Sequence, residues 1–190
     1  MPKKSVLEPG PGTLLIASPH LLDPNFRCTV VLLCDHTAKG AFGFVVNRPS
    51  GRLLDEVLPA PHQFNGRNDA VYLGGPVGLD SLTIFHHESG LSGAKEVLPG
   101  VFLGGSVEDL ARVVSLGKTP PSELRFVVGY SGWGEGQLSV EIREKAWVLC
   151  PGRPEWVFDA EPGTLWHRVI RSMGRDNDVF AQFPTDPSVN

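Results

Sequence analysis

No stretch of this chain is long and apolar enough to cross a bilayer as a helix. Its longest apolar runs, such as residues 29–34, fall far below the roughly 20 residues that a spanning helix needs. The N-terminal segment likewise has no apolar region of signal-peptide length. Strong positive charge is missing too. The formal charge is −4 and the pI near 5.8, and the pair Lys3-Lys4 is not extended into a basic run, so the field of the whole molecule repels polyanions. A cytoplasmic protein without membrane partners is expected, and direct nucleic-acid binding is not.

Cysteine is scarce. Cys28, Cys34 and Cys150 are too few and too irregular for a disulfide framework or a zinc site. They read as reduced thiols used as small apolar residues, with thiol-based redox sensing as the alternative. The histidines, His20, His36, His62, His86, His87 and His167, form neither a His-Glu-x-x-His motif nor a Cys/His cluster. His86 and His87 would point to opposite faces of a strand. No metal and no other cofactor is expected. The carboxylates Glu108-Asp109 and those between Glu141 and Glu144 have the pattern of solvated helix faces. The Gly-Gly pairs are not followed by Lys-Ser or Lys-Thr, which excludes a P-loop.

What remains is the composition of an ordinary globular domain: 190 residues, 41% hydrophobic and 20% charged. A chain of that length buries roughly 70% of its unfolded surface in one core. The 22 glycines and 17 prolines are scattered, which predicts many turns. Residues 1–12 read as a flexible lead-in, residues 13–175 as the domain, and residues 176–190 as a polar, poorly ordered tail. Short apolar, β-branched runs at residues 13–17, 29–34 and 41–47 predict buried strands, the last two forming an antiparallel pair across residues 35–40. Further strands are expected at 71–73, 82–86, 101–103, 124–130 and 146–150. Ser106 caps a helix that stops at Gly117, and a second helix runs from about Thr164 to Gly174. Strands and helices intermix without regular alternation, so the fold class is α+β: a mixed, largely antiparallel sheet packed with a few helices in a single compact domain.

The most distinctive segment is Gly129-Tyr130-Ser131-Gly132-Trp133-Gly134-Glu135-Gly136-Gln137-Leu138, directly after an apolar strand. Glycines so placed predict a turn that packs Tyr130 and Trp133. A nucleophile elbow is excluded because Trp133 occupies its second glycine position. Asn47-Arg48-Pro49 ends another strand with groups that can hydrogen-bond a carboxylate, a phosphate or a peptide backbone. The structural alternative has Asn25 and Asn47 satisfying loop backbone while Arg48 pairs with Asp55 or Glu56. Gly74-Gly75-Pro76 suits tight strand termination or a ligand contact.

Together with Ser18-Pro19-His20-Leu21-Leu22-Asp23-Pro24-Asn25-Phe26, Gly43-Phe44-Val45-Val46-Asn47-Arg48-Pro49 and Tyr72-Leu73-Gly74-Gly75-Pro76-Val77, the glycine-aromatic run resembles the bacterial YqgE/AlgH family, also called UPF0301 or DUF179. The resemblance spans about residues 10–175. It implies a helix over 137–144, where periodicity alone fits helix or strand, and a family pattern with alanine at Ser131, incompatible with a serine nucleophile. It also implies a shared surface built from Asn25, Asn47, Arg48, Gly74, Gly75, Pro76, Tyr130, Trp133 and Gln137, without assigning a role to any of them. Some family members carry the label of transcriptional regulator. The expected function is a non-enzymatic binding or regulatory protein that acts indirectly on an unidentified protein or small-molecule partner. The alternatives are an enzyme with a dispersed site around Asn47, Arg48, Tyr130 and Gln137, and the thiol sensor.

Overall fold

The computed structural model describes residues 7–58, 63–64, 67, 69–116 and 123–174. The first apolar runs form strands β1 (Thr13–Ala17), β2 (Val30–Thr37) and β3 (Gly40–Val45), and β2 and β3 make the expected antiparallel hairpin. Strand β4 (Pro49–Leu53) leads into the single turn α1 (Leu54–Val57), and β5 (Ala70–Leu73), β6 (Val77–His86), β7 (Ala94–Leu98) and β8 (Val101–Gly104) follow. Helix α2 (Val107–Ser115) starts at Ser106, whose Oγ accepts from the Asp109 N–H at 3.2 Å, the predicted cap. Strand β9 (Arg125–Gly134), helix α3 (Gln137–Arg143), strand β10 (Trp147–Pro151), the turn α4 (Pro154–Val157) and helix α5 (Pro162–Ser172) complete the order. Gly117, His62, the first half of the expected lead-in and the C-terminal tail lie outside the described residues.

The strands form one curled sheet in the order β10-β1-β2-β3-β9-β6-β8-β7, with β5 joined to β9 in parallel and β4 to β5. The other pairings are antiparallel, so the fold is α+β with a largely antiparallel sheet. Apolar residues cover both faces of the central strands, as continuous rather than alternating hydrophobic runs require. Leu14, Ile16, Leu32, Phe44, Phe85 and Val127 meet Trp156, Leu165, Trp166 and Val169 of α4 and α5 in the largest core cluster. On the other face Leu15, Val31, Leu33 and Val45 pack with Trp133, Leu138 and Trp147 beneath α3. A third cluster joins Ile84, Phe126 and Val128 to Leu54, Phe64 and Leu110. The ambiguous 137–144 segment is a helix over Gln137–Arg143, whose i, i+4 spacing puts Leu138 and Ile142 on one face against the Trp133 cluster.

The glycine-aromatic run corrects one expectation. It is not a turn: β9 continues through it to Gly134, and the chain reverses at Glu135-Gly136, with Gly136 at φ +70. The left-handed residue inside the strand, Gly129 at φ +68, lies alone opposite residues 78–81 of β6, where β6 carries three more residues than β9, and a glycine takes up such an irregularity without ending the strand.

Candidate functional site

Gly129 stands where β9 changes neighbour. Its residues 126–128 pair with β5, and residues 131–134 pair with β3. The Gly74 N–H donates to the Val128 carbonyl at 2.8 Å, the Gly74 carbonyl accepts from the Val45 N–H at 2.8 Å, and Ser131 Oγ donates to the same carbonyl at 3.0 Å. A Cβ on Gly74 would collide with the Gly129 carbonyl, and one on Gly75 with the Tyr130 carbonyl group. The Gly-Gly pair is therefore the backbone crossing of a sheet junction. Ser131 is buried and spends its hydroxyl there.

Because the run is a strand, its side chains alternate. Ser131 and Trp133 are buried, whereas Tyr130, Gly132 and Gly134 are exposed. Tyr130 and Trp133 consequently lie on opposite faces and cannot line one concave site. Tyr130 meets Phe42 edge to face, at 6.4 Å between centroids. On the other face, Trp133 Nε1 and Trp147 Nε1 both donate to Glu141 Oε2, at 2.8 and 2.7 Å, while Gln137 Nε2 donates to Glu141 Oε1 at 2.9 Å. Gln137 Oε1 also accepts from the Gly134 N–H at 3.0 Å. Glu141 is thus no solvated helix carboxylate. It holds α3 onto β9 and β10, and its sequence signal was the pair of tryptophans flanking one helix, each with an indole N–H that needs a partner when buried.

The 18–29 loop gathers the rest of the same face. Phe26 stacks on Trp133 at 6.3 Å and meets Trp147 edge-on at 5.4 Å. Asn47 Oδ1 accepts from the Val30 N–H at 2.8 Å, and its Nδ2 donates to the Cys28 carbonyl at 3.0 Å, so this amide does satisfy backbone, across the chain rather than in its own turn. Arg48 does not pair with Asp55 or Glu56. Its Nη1 donates to the carbonyls of Pro24 at 3.2 Å and Asn25 at 2.6 Å, and its Nη2 to that of Arg27 at 3.2 Å. Three carbonyls converge on the planar guanidinium because the loop ends there without a sheet to accept from. Burial lowers the Arg48 pKa, against the opposing fields of Cys28 and Asp23. The Asn25 N–H itself closes an Asx turn on Asp23 Oδ1 at 2.8 Å.

The candidates therefore fall into three places: Asn25, Asn47 and Arg48 at the loop, Trp133 and Gln137 with Glu141, and Gly74, Gly75, Pro76 and Tyr130 at the junction. Beside the junction, Val77 and Leu79 are 42% and 58% exposed and Tyr130 36%, with Tyr130 opposite Val77 in register.

Two polar groups were not anticipated. Arg125 is buried and lies over the Tyr72 ring at 3.9 Å, donating from Nη2 to the Asp159 carbonyl at 2.7 Å. Burial lowers its pKa, while Tyr72 and Asp159 act in the opposite direction. His86, fully buried, donates from Nε2 to the Gly104 carbonyl at 2.8 Å and accepts the Glu88 N–H on Nδ1 at 3.2 Å, and desolvation holds its pKa below the ordinary histidine value, against the Gly104 bond and Glu88. Burial pushes the Cys34 thiol far up and the Cys150 thiol up against the field of Arg153. Among the described residues, no three His, Cys, Asp or Glu side chains are grouped to hold a metal.

The family model described as AlgH-like, DUF179, matches residues 14–178. A UPF0301 protein of Chlorobaculum tepidum is 39% identical over 181 residues, covering 95% of each chain. A UPF0301 protein of Cytophaga hutchinsonii is 35% identical, covering 94% of this chain and 98% of its own. The solution structure of the AlgH protein from Pseudomonas aeruginosa superposes with a TM-score of 0.69 at 32% identity, over 94% of this chain and 98% of that one. A crystal structure of a Corynebacterium diphtheriae protein has the same fold, with a TM-score of 0.75 at 23% identity over 93% and 94% of the two chains.

Proposed function

This chain belongs to the AlgH-like DUF179 family, and from that premise we propose that it is a non-enzymatic cytoplasmic binding protein that regulates indirectly, by contact with another protein. The observation that carries the reading is where the motif side chains spend their polar groups. Ser131 serves Gly74, Asn47 and Arg48 serve the 18–29 backbone, and Trp133 and Gln137 serve Glu141. An enzyme using Asn47, Arg48, Tyr130 and Gln137 would need those groups at one centre, and the first two are committed to the 18–29 backbone while the fourth is committed to Glu141 and Gly134. A thiol sensor at Cys34 or Cys150 would need a thiolate that burial opposes. Among the described residues, the surface that supports recognition is the contiguous patch of Val77, Leu79 and Tyr130, whose large side chains can bury apolar area against a partner. The net charge of −4 supports a protein target over DNA.

A photoreactive phenylalanine analogue placed at Leu79 tests this in cells. A discrete protein adduct is expected at position 79 and not at Val140, an exposed apolar site on α3. Stoichiometric labelling of Ser131 by a fluorophosphonate, or salt-sensitive DNA binding at physiological ionic strength, would refute the reading.

A further inference from the structure

Between β6, the start of α2 and the segment at Leu58 and Phe64 lies a cavity of about 380 Å³, within the size range of small-molecule sites. Its walls are apolar, chiefly Phe64, Leu82, Ile84 and Leu110, and Thr83 and Glu108 bring polar groups to them. The space exists because β8 does not continue alongside β6. Gly104 and Gly105, at φ +71 and +98, swing the chain away into α2, and a Cβ on Gly104 would find no atom within 4 Å. Phe64 braces the far side by meeting Phe126 edge-on at 5.3 Å.

The charge at the entrance decides what can enter. The positive end of α2 would attract an anion, but it already carries Ser106 as cap and two carboxylates in its first turn. Asp109 is paired with Arg112 at 3.0 Å. Glu108, held by the Ser106 hydroxyl at 3.5 Å, adds a full negative charge to a helix end worth about half a positive one, so the entrance favours a cation. We propose that this cavity binds a small molecule with a flat or branched apolar body and a protonated amine directed at Glu108. The proposal stands apart from the recognition patch and survives if that patch has no partner.

Titration of the isotope-labelled full chain with tryptamine, followed by amide chemical shifts, tests it directly. Saturable shifts at Leu82, Ile84, Gly104 and Leu110 are expected, with a Kd on the order of 1 mM for so small a ligand. Indole-3-acetate presents the same ring with the opposite charge and should bind at least about tenfold more weakly. Glu108→Gln, an exposed change, should bring the two ligands close to parity. Val107→Trp should narrow the entrance and weaken tryptamine about tenfold, with its urea midpoint confirming that the variant folds. Equal or tighter binding of indole-3-acetate, shifts confined to another part of the molecule, or no saturable shift up to about 10 mM tryptamine would overturn the proposal.

Discussion

Glu141 does the most of any single side chain on the α3 face. One of its oxygens accepts both indole donors and the other accepts Gln137, so removing the carboxylate leaves two indole N–H groups of buried tryptophans without an acceptor. Each orphaned donor costs about 1–3 kcal/mol. Glu141→Leu should therefore lose about 2–6 kcal/mol, whereas Glu141→Gln, which keeps one amide oxygen for the indoles, should lose less than half of that. Urea midpoints of the two variants check the difference. His86 makes a pH-dependent contribution of the opposite chemical kind. Its folded pKa lies below the unfolded value of about 6.5. In the window between the two, the unfolded chain binds more protons than the folded one, so stability rises with pH there. The stabilisation is full above about pH 6.5 and is lost as pH falls toward the folded pKa. His86→Gln should flatten that part of the stability profile between about pH 7.5 and 5.5, read by chemical denaturation, and an unchanged slope would show that His86 does not set it.

At the scale of elements, the glycines divide by what surrounds them rather than by how often they occur in motifs. Gly75, at φ +152, faces the Tyr130 carbonyl group, so Gly75→Ala must part the strands at the junction and should cost more than about 3 kcal/mol. Gly51 also has a positive φ, +78, but open space around it, so Gly51→Ala should cost only about 1 kcal/mol of backbone strain. Gly163 sits in the first turn of α5 with nothing within 4 Å of a Cβ, and Gly163→Ala should stabilise by about 0.4–1 kcal/mol. Thermal melts of the three would rank them. The contrast also marks what sequence patterning can reach. The apolar runs gave β1, β2, β3 and β10 and the Ser106 cap gave α2, because local chemistry decides those elements. The glycines of 129–134 read as a turn because a glycine-rich strand and a glycine-rich turn differ only in their neighbours, and the neighbours β3 and β5 lie 88–94 and 55 residues upstream in register. Edge strands β4 and β7, being polar and exposed at many positions, carry too little apolar pattern to stand out.

For the molecule as a whole, the curl of the sheet leaves its largest core unfinished until the C-terminal helices arrive. Trp156, Val157, Leu165, Trp166 and Val169 close the cluster begun by Leu14, Leu32, Phe44, Phe85, Val97 and Val101, and the Trp166 indole donates to the Ala17 carbonyl at 2.9 Å at the far end of the sequence. That dependence explains why the candidate site was less legible than the fold class. Motif residues such as Asn47, Arg48 and Ser131 are spent on contacts between segments far apart in the chain, and composition gives no view of such contacts. It also fixes the order of losses when the helices are removed. Truncation after Gly152 leaves every strand in place but exposes the concave face of Phe44, Phe85 and Val97, so the sheet should persist in far-ultraviolet circular dichroism while near-ultraviolet signal falls and the dye ANS binds, the signature of lost packing. Trp166→Ala in the full chain removes one member of the closure and should cost about 3–5 kcal/mol without ANS binding. A truncated chain that kept the near-ultraviolet signal and urea midpoint of the intact protein would show that the sheet packs on itself, and that α4 and α5 rest on a core already complete.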